Sequence, residues 1–493
     1  MPKIECLRIY QDNIINYYIM LNNLSVKKAI LYTMVGKYST IIMQTVFSMI
    51  LSRVLTPTEF GTVAVVSIFI TFFSILSDLG LGAGVIQNKK MTNEDVNNIF
   101  SVSVYLGIGL MLIFVVLSYP IATIYNDKVY YKLCPILATS VLFNSFNMIP
   151  NAVMLKEKNF LSIAKRTFIS CIVSYAVSIG LALQGWGVYA LCFSQVMSSL
   201  MIFLWNEGSV KLKFHFKADI KPIKMIWGYS FYQFTSQTIN FFCRSLDSFL
   251  VGILFSKADL AYYNKSYSLM MLPISNIPGV INPVLHPILS EYQDNRFEIY
   301  KRYQKMVRIL VILGSLISVL CFTFGDQIIY IMFGDQWDEA VLPFRILSLS
   351  LIPQFLTNTI GTIYQSVGET KKLFHSVIIT TTLIILSIVM GAMMGSIVTV
   401  SIMVSMAYVM SFLITFYLLF QNVFGYSFET FLKPMKSDFM IFVVVIAIVS
   451  LMPVFNDIWI DMSVKFAVYI TYCLLYLILG KRYFQIISML KSK

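Results

Sequence analysis

Two apolar stretches carry polar side chains at helical spacing. Lys37, Thr40, Gln44 and Ser48 follow one another at steps of 3, 4 and 4. Gln237, Asn240, Arg244 and Ser248 repeat those steps, with Gln233 one turn earlier and Asp247 alongside. At helical periodicity each set lies along one face. Asn144, Asn147 and Asn151 make a third set, and Gln354, Asn358, Thr362 and Gln365 a fourth. Amides and hydroxyls donate and accept hydrogen bonds without carrying charge, which suits sugar hydroxyls. The Arg244 guanidinium adds a fork that fits a phosphate or diphosphate, where the Lys37 ammonium offers only a point charge. This is recognition chemistry, not bond-making. The sequence holds no HExxH and no Gly-x-Ser-x-Gly, and no paired carboxylates on one membrane face are located. No catalytic residue, metal site or cofactor is expected. The competing roles are packing: amides glue membrane helices together, Lys37 snorkels to the surface, and Asp247 pairs with Arg244. The stripes favour the lining of a wet cavity.

The elements that position these stripes are membrane spans. The 493 residues are 58% hydrophobic and 12% charged, with mean hydropathy +0.76, against about 25% charge in a soluble protein. Only a bilayer serves as solvent for such a surface. A span needs about 20 apolar residues. Fourteen stretches qualify: 30–52, 60–86, 99–119, 133–154, 163–183, 187–206, 227–254, 260–283, 305–324, 339–366, 373–392, 396–420, 438–455 and 462–480. Pro273, Pro278, Pro283 and Pro287 predict a broken, hinge-like helix at the eighth. Asp78 with the Gly-Leu-Gly-Ala-Gly run at 80–84 lacks the Lys-Ser/Thr of a phosphate loop and reads as a helix-end device.

Charge sets the orientation. With the N-terminus in the cytoplasm, cytoplasmic segments hold 28 of the 37 Lys and Arg and the opposite side seven, leaving Lys37 and Arg244 inside spans. Lys156, Lys158, Lys165 and Arg166 form one of the cytoplasmic clusters. This positive-inside bias places both termini in the cytoplasm of a multi-pass inner-membrane protein. The net charge of +13 is then a topology signal and not a nucleic-acid footprint. The seven cysteines are scattered singly and the three histidines lie far apart, so neither a disulfide framework nor a zinc site is predicted. No signal peptide is evident; Met20, followed by Lys27 and Lys28, reads as a natural start, with residues 1–19 an upstream extension. Loops of about 25 residues or fewer leave no room for a soluble catalytic domain.

The first and seventh spans match at a constant offset of 200: Lys37 with Gln237, Thr40 with Asn240, Gln44 with Arg244, Ser48 with Ser248, and, in the next loop, Glu59 with Asp259. Asn147 and Asn151 match Asn358 and Thr362 at an offset near 211. Six helices separate the first pair, so the repeat is parallel. The predicted fold is all-α integral membrane: two pseudo-symmetric six-helix lobes plus two C-terminal helices. A cytoplasmic N-terminal segment (1–28) precedes the N-lobe (29–206), a basic cytoplasmic linker (207–226), the C-lobe (227–420), and a region (421–493) holding helices 13–14 and the cytoplasmic C-terminus.

The stretches LSRVLTPTEFGTVAVVSIFITFFSILSDLGLGAGVIQ (51–87) and RSLDSFLVGILFSKADLAYYNKSYSL (244–269) resemble the polysaccharide flippase family. These are the Wzx-type O-antigen and exopolysaccharide translocases of the multidrug/oligosaccharidyl-lipid/polysaccharide exporter superfamily. The resemblance covers nearly the whole span pattern. It implies a flippase that moves polyprenyl-diphosphate-linked oligosaccharide across the cytoplasmic membrane by alternating access. The tail would stay among membrane lipid, with polysaccharide polymerase machinery as a further partner. The alternatives are a cation-coupled multidrug exporter of the same superfamily and a membrane-embedded polysaccharide polymerase or ligase. Such exporters usually carry an acid deep in the first lobe, where this chain has Lys37; such polymerases show a large outer loop, absent here. A structural scaffold leaves the polar stripes without purpose.

Overall fold

A computed structural model of the chain describes residues 34–479 apart from 89, 294 and 454–457. The proposed start at Met20 and both termini lie outside the described residues. Every described element is helical. In chain order these are α1 (Met34–Val54), α2 (Pro57–Asp78), α3 (Leu81–Gln87), α4 (Asn93–Val116), α5 (Ser118–Ile124), α6 (Tyr130–Lys156), α7 (Phe160–Leu183) and α8 (Val188–Ser209). There follow α9 (Lys221–Leu254), α10 (Lys257–Ser290), α11 (Arg296–Thr323), α12 (Gly325–Phe333), α13 (Val341–Ser348), α14 (Leu351–Ser366), α15 (Thr370–Met393) and α16 (Ile397–Leu419). The last are α17 (Phe428–Leu432), α18 (Lys436–Ser450) and α19 (Ile458–Leu479). Where its residues are described, each of the fourteen expected spans overlaps helix. Ten described helices are long and apolar enough to cross a membrane, or eleven with one bent pair counted as a single span. Wide faces of α15 and α18 expose residues such as Ile378, Leu386, Met390, Val443 and Ile448, as lipid-facing surfaces do.

Two compact units divide the chain at Arg244 and Ser245. The sequence reading puts the division at the linker, 207–226. In the first unit that linker is pinned along α4: Lys213 N–H donates to Asn97 Oδ1 (3.0 Å), His215 N–H to Ser101 Oγ (2.8 Å), and Tyr105 Oη to the Phe216 carbonyl (2.9 Å). The start of α9 then packs onto the α2–α3 corner, where Ile223 and Ile226 join Leu81, Val85 and Ile99 in one apolar cluster. The corner itself is made by Leu79 and Gly80, both left-handed (φ 42° and 70°). Asp78 Oδ1 takes the Gly82 N–H at 3.2 Å, the helix-end device expected of that motif.

Within the first unit α6 packs against α2, α4 and α8, and α7 against α8. Within the second, α13 and α14 pack against α10, α11 and α16, and α15 against α16. The order of partners repeats, and so do the boundaries: α1 and α9 end at Val54 and Leu254, and α7 and α15 span Phe160–Leu183 and Thr370–Met393. The loop carboxylates matched at offset 200 do the same job. Thr56 and Glu59 form a capping box at α2. Ser256 and Asp259 form one at α10, with Ser256 Oγ to Asp259 Oδ2 at 2.7 Å and Asp259 N–H to Ser256 Oγ at 3.1 Å. Reciprocal capping satisfies donors that a helix start otherwise leaves open. α18 and α19 pack on α11 through Ile312, Val319, Tyr472 and Tyr476, with Ser315 Oγ 2.8 Å from Tyr472 Oη.

The expected break at the eighth span does not occur: α10 runs unbroken through its prolines. Ser275 Oγ and Asn276 Nδ2 both donate to the Leu272 carbonyl in the turn that follows Pro273 (3.2 and 2.7 Å). The carbonyl that Pro273 leaves without an N–H is that of Leu269, four residues earlier. The bend lies instead in the tenth span, where Asp335–Ser348 and Leu351–Ser366 meet at 55°. Pro353 has no N–H to give the Leu349 carbonyl and sits in the first turn of α14, where proline costs least.

Candidate functional site

The first unit has two open cavities among its helices, with polar side chains in their walls. The first, about 470 Å³, is lined by Asp78 on the α2–α3 corner, by Asn144, Asn147 and Asn151 on α6, and by Arg166 on α7. The second, about 450 Å³, is lined by Thr40 and Gln44 on α1, Ser67, Thr71 and Ser74 on α2, and Gln195 and Ser199 on α8. Ser74, Asn144 and Ile202 belong to both walls, so the cavities adjoin. Each falls in the range of roughly 300–1,000 Å³ typical of small-ligand sites.

Hydrogen bonds fix the walls. Gln195 Nε2 donates to Ser67 Oγ (3.0 Å), Asn144 Nδ2 to Ser74 Oγ (3.4 Å), and Ser145 Oγ to Ser77 Oγ (2.8 Å). On the arginine side, Nη2 of Arg166 donates to Asn151 Oδ1 at 3.0 Å and Nη1 to Asn206 Oδ1. Asn206 Nδ2 in turn donates to Asn147 Oδ1 (3.0 Å), and Asn147 Nδ2 to the Ser199 carbonyl (3.1 Å). The tract sets hydroxyls and amides among apolar side chains, with one guanidinium in the wall of the first cavity. It can hold a polyhydroxylated ligand in a definite orientation.

Of the residues singled out from sequence, Thr40, Gln44, Asn147 and Asn151 line this tract, and the Gln237 amide reaches Asp78 on its wall. Lys37 is exposed near the start of α1, and Ser48 is half-buried a turn beyond Gln44. On α9, Gln233 is half-buried, Asn240 is exposed and donates to the Ser236 carbonyl, and Arg244 is exposed. Asp247 is buried in the second unit, taking bonds from Tyr263 Oη (3.0 Å) and the Ser248 N–H (2.7 Å). Gln354, expected on a cavity wall, is drawn into helix packing, 4% exposed and donating to Ser350 Oγ at 2.8 Å. Thr362 is buried, while Asn358 is exposed and its carbonyl takes Asn282 Nδ2 at 3.0 Å.

Arg166 escapes the sequence reading because its neighbours Lys158 and Lys165 make it look like an interfacial charge. A signal was present: Ser67, Thr71, Ser74 and Asp78 run along one face of α2, and Gln195, Ser199, Ile202 and Asn206 along one face of α8. Lys265 and Lys465 are likewise not loop charges. Lys265 Nζ lies over the Phe333 ring at 4.5 Å, and Lys465 is 7% exposed within α19. Among the described residues no cluster of His, Cys, Asp and Glu is placed to hold a metal ion.

Residues 50–342 match a family described as "Polysaccharide biosynthesis protein". The chain is 23% identical over 318 residues to an uncharacterized membrane protein in the cps region of Klebsiella pneumoniae, covering 64% of this chain and 65% of that one. It is 24% identical over 346 residues to the teichuronic acid biosynthesis protein TuaB of Bacillus subtilis, covering 70% and 72%. The chain thus spans about two thirds of the length of these relatives. Among solved structures, the lipid II flippase MurJ in an inward closed conformation superposes with a TM-score of 0.68 at 14% identity, over 91% of this chain and 99% of that one. At that identity the likeness establishes the fold.

Proposed function

The chain belongs to the polysaccharide biosynthesis protein family, and from that premise we propose that it is a flippase for polyprenyl-diphosphate-linked oligosaccharide. It carries the head group from the cytoplasmic to the outer leaflet, by alternating access, with both termini in the cytoplasm. It is a transporter and not an enzyme. The observation that carries this reading is the tract of the first unit: adjoining cavities of about 470 and 450 Å³ among membrane helices, with hydroxyls, amides and Arg166 in their walls. Polar groups in a bilayer are costly unless they meet water or a polar ligand, and uncharged donors and acceptors in this number suit sugar rings. Arg166 suits the negative charge that a diphosphate brings. The Gln44, Gln237 and Arg244 stripes extend the same chemistry along α1 and α9.

The test is reconstitution. Purified protein in proteoliposomes should accelerate translocation of a fluorescent undecaprenyl-diphosphate oligosaccharide, read by quenching from outside, and should leave a cationic dye such as ethidium where it is. Extrusion of the dye with no movement of the lipid overturns the proposal in favour of a drug exporter.

A further inference from the structure

Arg166 is 6% exposed, yet no carboxylate pairs with it among the described residues. Its contacts are two amide oxygens and, at 3.9 Å, the Met154 sulfur. Its buried Nε has no partner. A guanidinium keeps its charge at any physiological pH. Taking that charge out of water with only dipoles to replace a counter-ion is costly. The amides are nonetheless oriented: the bonds from Asn206 Nδ2 to Asn147 and from Asn147 Nδ2 to the Ser199 carbonyl turn the Asn206 oxygen toward the arginine. A cation held in place before its ligand arrives loses little freedom on binding.

We propose that Arg166 is an oxyanion-binding residue of the 470 Å³ cavity, taking a phosphate or carboxylate group attached to a sugar ring. This rests on the flippase reading and specifies one point of contact within it. The carboxylate of Asp78 selects for the ring. It lines the same cavity and is held by the Gly82 N–H. A bare anion would be repelled by it. An oxyanion joined to a hydroxyl-bearing ring is accommodated, because ring hydroxyls donate to Asp78 and Asn144 while the anion rests on Arg166. The anion comes either from the phosphate that links the first sugar or from an acidic sugar.

The full chain in detergent carries its own reporter. Trp205 adjoins Asn206, and its indole donates to Ser162 Oγ on α7 at 3.0 Å. Intrinsic fluorescence and thermal shift are to be followed with glucose 1-phosphate, glucuronic acid and glucose as probes. Saturable binding of glucose 1-phosphate alone assigns the site to the phosphate linker, and of glucuronic acid alone to an acidic sugar; binding of both supports an oxyanion site without preference. Equal binding of glucose, or no binding of either anion, overturns the proposal. Arg166→Gln should abolish anion binding. Arg166→Lys should weaken it about tenfold through loss of the fork. Should Arg166→Gln not fold, Asn206→Asp carries the test by supplying the missing counter-charge internally. It should raise the melting temperature of the empty protein and weaken anion binding about tenfold or more. Wild-type anion binding in Asn206→Asp means that Arg166 is helix glue. Binding is read without transport, so a chain that binds anions but moves no lipid sinks the flippase reading and leaves this one standing.

Discussion

Lys465 donates to Asp326 at 2.7 Å, tying the outermost of the two extra helices, α19, to the short helix α12. Asp461, one turn earlier on α19, is also 2.7 Å from Lys465, and Arg345 Nη2 is 3.0 Å from the other oxygen of Asp326. Gln327 Nε2 completes the cluster on Asp461 at 2.9 Å. Lys465 and Asp461 are almost wholly buried, while the Asp326 side chain is 38% exposed.

The cluster makes stability depend on pH in one direction. Burial works against the Asp326 carboxylate, but the Lys465 hydrogen bond and the charges of Arg345 and Lys465 outweigh it and lower its pKa. A group whose folded pKa is lowered stabilises the fold fully above its ordinary value, about 3.9. That contribution is lost as pH falls through the lowered value. In detergent, Asp326→Asn should melt below wild type by a constant margin above about pH 5, and the margin should shrink below about pH 4. Lys465→Met leaves Asp461 with Gln327 alone and Asp326 with Arg345 alone. It should cost about 2–3 kcal/mol, less than the ~3–5 of a fully buried pair because water reaches Asp326. A margin that widens in acid would mean that the cations and not Asp326 are the strained partners.

The α2–α3 corner yields a second prediction. Gly80 has φ +70°, and a Cβ there would fall on the Ser230 carbonyl of α9. Gly80→Ala therefore meets both the left-handed penalty of about 1 kcal/mol and a backbone overlap, and should destabilise the first unit by about 3 kcal/mol or more. Gly109 and Gly180 are helical glycines with nothing within 4 Å of a built Cβ. Alanine at either should be neutral or stabilising by about 0.5–1 kcal/mol. Thermal melts of the three variants decide the matter. Equal tolerance at all three positions would show that the approach of α9 to the corner is not tight.

These residues also mark how far the sequence could be read. A run of twenty apolar residues announces a membrane helix by itself, so the spans are legible. The offset of 200 is legible too, because Thr56–Glu59 and Ser256–Asp259 are local capping motifs whose chemistry lies within four residues. Burial of a charge is not local. Arg166 and Lys465 sit near the ends of apolar runs, where a one-dimensional reading assigns lysines and arginines to the interface. Only the packing of α6, α7 and α8 puts Asn151 and Asn206 around Arg166, and only α12 meeting α19 puts Asp326 on Lys465. Proline misleads for the same reason. Four prolines within α10 leave it unbroken, while the span that bends does so beside Pro353, whose ring cannot serve the Leu349 carbonyl.

The last prediction concerns the exposed cations of the matched stripes. Asp247, the residue placed to neutralise Arg244, is buried and engaged by Tyr263 and the Ser248 N–H, while Arg244 is exposed on α9 and makes no ion pair among the described residues. The same holds for Lys37 on α1. Exposed charge on a spanning helix must meet water or an anion, since unpaired charge in hydrocarbon is untenable. We propose that both attract the substrate's diphosphate. Arg244→Ala should abolish surface polysaccharide in a complementation assay while the protein stays in the membrane, and Arg244→Lys should restore it in part, because the forked geometry is lost. Lys37→Ala should weaken export and Lys37→Arg keep most of it. Asp247→Ala added to Arg244→Ala should not restore export, because the carboxylate already has its partners in Tyr263 and Ser248. Restored export in that double variant would mean that Arg244 serves only to balance Asp247, and that the stripe on α9 is packing.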